Sequence, residues 1–330
     1  METKRIFKDG GNLLFGYIGS SVIGLVNLML LTRILTTEEM GMYNLFLMIV
    51  NLGLVIGLNW SDSSILRHGR EEYVRHRKIN QSFWARAYLY SFALLILAGA
   101  LAIFREPIMN YIGLDTKFAW LVFSLILFMS LVNYLTHLLR SVDLMKRSAY
   151  ILFTQKTAYL IGLAFIFYGF ASANLVLAII FLNISFLLIL IMNIARFDFS
   201  LIKPYRFNPT YFRKIWRYSW PQLIGFSGIS LIRYIDLFVI NRFLGLTDVG
   251  IYGVAYAAFS MIQGAALVMN SVFMPLITEY RTRDRFDLIK LYIKRIPLFA
   301  LGWVALVVVG LLLAQTLIPL FFTTKYIMAI

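Results

Sequence analysis

The sequence predicts an all-α, polytopic helical membrane protein built as two lobes that repeat one another in parallel. Three observations predict it. Hydrophobic residues fill 60% of the 330 positions and charged residues only 14%, against about 45–50% and about 25% in soluble domains. The apolar residues fall in runs of about 20, the length a helix rising 1.5 Å per residue needs to cross a hydrocarbon core about 30 Å thick. A patterned segment near the start of the chain also recurs 209 positions later.

In chain order the runs cover 12–35, 42–66, 83–104, 118–139, 150–170, 174–195, 216–241, 251–274 and 297–322. The first is too long for a signal-peptide core and lacks a small-residue cleavage site, so 1–11 reads as a short mature tail and the run as a retained helix. Of the 31 Lys and Arg, 25 lie in the tail and in the segments 67–86, 140–156, 196–217 and 281–295. Only Arg33, Arg105, Lys117, Arg242 and Lys325 lie in the alternate connections, and Arg233 is inside a run. Cytoplasmic loops carry the basic excess, so the N-terminus is expected in the cytoplasm. The net charge of +15 is then a topology signal, and no nucleic-acid partner is expected. Absence of Cys and the presence of only three scattered His leave no thiolate site and no histidine cluster. Phosphate-loop, HExxH and GxSxG patterns are missing too, so neither an enzyme nor a cofactor is expected.

The repeat reads LLTRILTTEEMGMYNL at 30–45 and VINRFLGLTDVGIYGV at 239–254. Arg33 matches Arg242, Glu39 matches Asp248, Gly41 matches Gly250 and Tyr43 matches Tyr252. An even number of spans separates the copies, so both face the same way across the bilayer, an arrangement that transporters use around a site between two halves. The first lobe is expected to hold six helices over 1–196. A cytoplasmic linker follows over 197–214, then a second, incomplete lobe of about three helices over 215–330. In each copy the Arg favours the C-terminal end of its helix, the Gly opens the next helix across a tight external hairpin, and the Tyr lies in the interfacial belt. Arg33 and Arg242 are candidates for a gate at the external rim, or anchors of the hairpin. Gly16, Ser20 and Gly24, at four-residue spacing, form a close-packing face on the first helix.

The segments LLTRILTTEEMGMYNL, SSILR at 63–67, RYSWPQLIG at 217–225 and FLGLTDVGIYGVAYAAFSMI at 243–262 resemble the Wzx-type polysaccharide and O-antigen flippases. That family belongs to the superfamily that also holds the MATE drug exporters and lipid II flippases. The resemblance implies two six-helix lobes around a cavity open to one side at a time, and so a chain that is C-terminally truncated. It implies movement of an undecaprenyl-diphosphate-linked oligosaccharide across the bacterial inner membrane, with polysaccharide polymerase machinery as a further partner. Alternatives are a MATE-like drug/cation antiporter and a truncated fragment without transport. A glycosyltransferase would show a long external loop with catalytic carboxylates, and the external connections here are short.

Charges inside spans are functional candidates. Arg233 and Asp236 share one face of the seventh helix, with Arg233 about 13.5 Å from Arg242 along the axis. A guanidinium suits a diphosphate, and the adjacent carboxylate could release it or carry a proton; the two could equally form a self-neutralising pair. Asp62 either pairs across to another helix or faces the cavity as a protonatable group. Asn27 occupies the place of Asp236 in the first copy. The expected substrate-binding set is therefore Arg233, Asp236, Asp62 and Asn27, and 71–86 is expected to be a solvated basic loop able to lie against anionic lipid.

Overall fold

Inside a bilayer backbone amides find no water, so a chain of this composition satisfies them within helices. The computed structural model describes residues 2–169, 174–205 and 207–257 with scattered positions beyond; of residues 2–15, 17 and 18 it describes only the backbone. All regular structure among the described residues is helical. The elements are α1 (Glu2–Ile34), α2 (Thr37–His76), α3 (Asn80–Ile103), a short α4 (Arg105–Ile112), α5 (Ala119–Ser141), α6 (Met145–Gly169), α7 (Leu175–Ala195), α8 (Pro209–Phe243) and α9 over 246–257. Six of these, α2, α3 and α5 to α8, are long and apolar enough to cross a membrane, and α1 carries a further apolar segment, Gly19–Ile34. The expected spans beyond 257 and the 281–295 basic loop lie outside the described residues.

Helix starts follow local chemistry. Thr36 and Glu39 form a reciprocal capping box at the head of α2. Asn174 caps α7, and Asn208 accepts from the amides of Thr210 and Tyr211 at the head of α8, with Pro209 in the first turn. That cap starts α8 inside the expected linker.

Helix α1 runs along α6, α6 packs on α7 and α7 on α5. Apolar helices gain little hydrophobic energy from one another in lipid, so close approach through small residues decides such contacts. The small-residue face of α1 serves this purpose. A Cβ on Gly16 would stand 2.7 Å from the Ala149 carbonyl oxygen, one on Gly24 2.9 Å from Lys156 Nζ, and Ser20 is buried.

The segment 71–86 is not a solvated loop. Helix α2 continues to His76 and α3 begins at Asn80. Glu72 is buried and accepts the amides of Gln81 (2.9 Å) and Ser82 (2.8 Å), placing a carboxylate on the donors that a helix N-terminus leaves unpaired. Between its regular ends α2 changes pitch repeatedly. A π turn (Gly53–Leu58) is followed by a 3-10 turn (Asn59–Ser61), one α turn (Asp62–Ser64) and a second π turn (Ile65–Gly69).

Candidate functional site

The two copies of the repeat meet. A Cβ on Gly41 would fall 1.9 Å from the Leu246 carbonyl oxygen, and one on Gly250 would fall 2.0 Å from the Thr37 carbonyl oxygen. Positions 37 and 246, like 41 and 250, are equivalent at the offset of 209, so each copy makes the same contact on the other. That reciprocity is the signature of a two-fold relation. One turn on, Asn44 reaches the Val249 carbonyl (3.4 Å) and lies against Gly253, its own counterpart. Gly41 and Gly250 are each the fifth residue of their helix, not its opening turn, and their role is backbone approach. Arg33 and Arg242 end α1 and α8 as expected, both exposed.

From this seam a cavity of about 400 Å³ runs inward beside α1, α2 and α6, with Ala257 at the end of α9 and Ser260 also lining it. Its polar lining comes from Asn27 on α1, Tyr43, Asn44 and Asn51 on α2, and Gln155, Lys156 and Tyr159 on α6. Asn44 and Asn51 lie about 4.5 and 15 Å of helix rise from Gly41, so the cavity reaches toward mid-membrane depth. Asn27 is buried; its amide donates to the Lys156 carbonyl (3.1 Å), and its Oδ1 has no partner among the described residues. Tyr43 and Tyr159 bury their hydroxyls against each other at 3.2 Å. Tyr43 is thus not in an interfacial belt. Gln155 is held by Ser185 at 2.9 Å.

Lys156 is the cation of this cavity. It is the twelfth residue of α6, far inside a span, and no described carboxylate lies within ion-pair reach. An ammonium at such depth is costly unless something anionic or strongly polar meets it. The sequence places Lys156 inside the run 150–170 while its charge counts with the basic segment 140–156; the structure settles it in the helix. What the run did not show is that Lys156 faces a cavity and not a basic loop.

Asp62 lies elsewhere. It is 3% exposed and pairs at 2.7 Å with Arg86 of α3, which is 0% exposed. The same guanidinium donates to the Leu58 carbonyl (2.9 Å) and lies 5.1 and 5.0 Å from the ring centres of Tyr90 and Tyr134. Leu58 ends the π turn, where the change of pitch interrupts the regular carbonyl ladder. Arg86 therefore pins the irregular middle of α2 to α3, and Asp62 balances its charge. Of the two expectations for Asp62, the structure favours pairing across to another helix.

Arg233 and Asp236 are both exposed on α8 and form no ion pair with each other. Asp236 accepts instead from the Tyr252 hydroxyl at 2.7 Å, which leaves Arg233 without a carboxylate partner among the described residues. Of the four expected substrate residues only Asn27 lines the cavity. The far end of α2 also meets α8: Ser63 hydrogen-bonds Gln222, Trp60 stands edge-on to Trp216 (5.9 Å), Arg67 covers Tyr218 (5.0 Å) and Lys214 pairs with Glu71 (2.9 Å). No group of three or more potential metal-ligating side chains occurs among the described residues.

Comparison with known proteins agrees with this architecture. The polysaccharide biosynthesis protein family matches residues 6–281. The succinoglycan biosynthesis transport protein ExoT of Rhizobium meliloti (strain 1021) is 24% identical over 298 residues, covering 86% of this chain and 56% of that protein. The chain thus spans little more than half the length of the curated relative it matches. A solved structure described as protein A shares the fold, with a TM-score of 0.69 at 14% identity over 96% of this chain and 74% of that one. With the family matched across most of its length, the chain belongs to the polysaccharide biosynthesis protein family.

Proposed function

We propose that this chain forms the first lobe and the start of the second in a flippase of the bacterial inner membrane, N-terminus in the cytoplasm, that moves an undecaprenyl-diphosphate-linked oligosaccharide by alternating access. The protein is a transporter and not an enzyme. The observation that carries the reading is Lys156, with no carboxylate partner among the described residues, in a hydroxyl- and amide-lined cavity directly beneath the reciprocal glycine seam. A sugar chain with a diphosphate cannot cross hydrocarbon with its polar groups unpaired. Asparagine, glutamine and tyrosine side chains exchange hydrogen bonds with sugar hydroxyls, and an ammonium with three donors meets an anionic group as a point charge. The relative's description as a transport protein of succinoglycan biosynthesis supports the same class of substrate. The seam shuts one end of the cavity and opens when the Gly41 and Gly250 helices part. Arg33 and Arg242 lie at the rim of that end. Arg233, free of Asp236, is a second contact for the diphosphate as the substrate enters along α8.

Lys156→Ala in the full-length protein is expected to cut surface polysaccharide about 10- to 150-fold, the worth of one charge-assisted contact, at unchanged protein level. Lys156→Arg retains part of the activity. Normal export by the alanine variant would overturn the site, and loss of drug extrusion with export intact would replace the reading by an antiporter. Arg233→Ala is likewise expected to abolish surface polysaccharide while the protein remains in the membrane; full export there removes Arg233 from the path but leaves the cavity standing.

A further inference from the structure

A second cavity, of about 540 Å³, opens at the opposite edge of the first lobe, where α6 begins and α7 ends. Lys146, Arg147 and Arg196 line it, and the one carboxylate there, Asp143, is 3.4 Å from Arg70 of α2. Lys146 and Arg196 are exposed. Arg147 spends its hydrogen bonds on the Asn193 and Arg196 carbonyls (2.7 and 2.8 Å) and the Asn193 side chain (3.3 Å). All its acceptors among the described residues are neutral, and the carbonyls among them lie at a helix end whose dipole favours a cation. About one turn deeper, some 6 Å along each helix, the lining becomes apolar and aromatic through Tyr150, Ile189 and Met192, with Tyr150 and Met192 half open to the outside.

Basic groups at the level where two spanning helices end, above an apolar groove facing lipid, form an amphipathic slot. Its charge fits a phosphodiester and its depth fits the start of an acyl chain. We infer that the cleft between the head of α6 and the tail of α7 is a binding site for an anionic phospholipid of the surrounding leaflet, held by Lys146, Arg147 and Arg196. Basic pockets between transmembrane helices hold acidic lipid headgroups in this way, at about 1 kcal/mol per cation. The site lies apart from the cavity that holds Lys156, so it stands whether or not the proposed transport function does. Charge complementarity selects the occupant: a zwitterionic lipid brings its own ammonium to three cations, whereas phosphatidylglycerol brings a net negative charge.

The test is native mass spectrometry of the full chain released from detergent with phosphatidylglycerol or phosphatidylethanolamine added. Lys146→Ala/Arg196→Ala is expected to weaken the tightest phosphatidylglycerol adduct about 30-fold, two cations at the near-surface value, and to leave phosphatidylethanolamine adducts unchanged. Arg147 stays in place because it also caps α7. Lys146→Arg/Arg196→Lys should bind as the parent does. Arg75→Ala/Arg217→Ala removes equal charge from exposed positions elsewhere. Unaltered phosphatidylglycerol binding in the first pair, or an equal loss in the Arg75/Arg217 pair, would overturn the site. Helical circular dichroism of both pairs should match the parent, since none of these four side chains is buried.

Discussion

Replacing Gly41 with Leu is expected to abolish polysaccharide export while leaving the first lobe folded. The seam is backbone against backbone: even an alanine Cβ would stand 1.9 Å from the Leu246 carbonyl oxygen, and a helix backbone has no rotamer through which to yield. The helices must separate, and overpacking of this kind costs about 1–3 kcal/mol or more. Charged to the seam-closed state alone, that shifts the opening equilibrium by a factor of about 5–150. Gly250→Leu should do the same, because Gly250 meets the Thr37 carbonyl oxygen at 2.0 Å in the equivalent contact. The reciprocal geometry makes equal defects from both single variants the expected result, measured as surface polysaccharide at matched protein levels. A second measurement separates gating from misfolding. The chain has no Cys, so Glu38→Cys/Thr247→Cys, an exposed and repeat-equivalent pair beside the seam, can be bridged with a short thiol reagent cleaved by reductant. Bridging should arrest export and reduction restore it. Normal export by Gly41→Leu, or indifference to the bridge, would remove the seam from the mechanism.

Arg86→Met is expected to give the largest loss of stability of any single change in the first lobe. It strands Asp62 as a buried charge and leaves the Leu58 carbonyl without its donor. Breaking a buried pair from one side costs about 3–5 kcal/mol, and the loss should appear as a lower thermal midpoint in detergent. The double variant Asp62→Leu/Arg86→Met removes both charges and should recover most of the loss. About 1 kcal/mol remains for the Leu58 hydrogen bond. Additive single effects in that cycle would show that the two residues are uncoupled. The same comparison separates structure from coupling: a purely positioning pair predicts that the double variant exports normally once it is folded.

The contrast between these sites shows where the sequence was legible. Composition and run length were sufficient for the six spanning helices α2, α3 and α5 to α8 among the described residues, because the bilayer imposes one length and one backbone solution on every helix. The small-residue face of α1 was readable for a similar reason: four-residue spacing puts Gly16, Ser20 and Gly24 on one side whatever the partner. Arg86 and Lys156 fall inside the runs 83–104 and 150–170 yet count with the basic segments 67–86 and 140–156, because a tally of charge along the chain carries no burial. A buried charge tolerated by a partner or a cavity looks the same in one dimension as a solvated one. Asp236 was read with Arg233, its neighbour at i+3, but Tyr252 from the next helix outcompeted the local partner.

The sequence by itself determined that the chain is a helical bundle for a membrane, and that the motif at 30–45 returns at 239–254. Only the tertiary structure decided that the two copies meet. Helix spacing can place Gly41 and Gly250 at equivalent positions, but it carries no information about distance between them. That the two glycines close on each other's helices, and that the space beneath them holds a lysine with no carboxylate partner among the described residues, follows from packing between segments far apart in the chain.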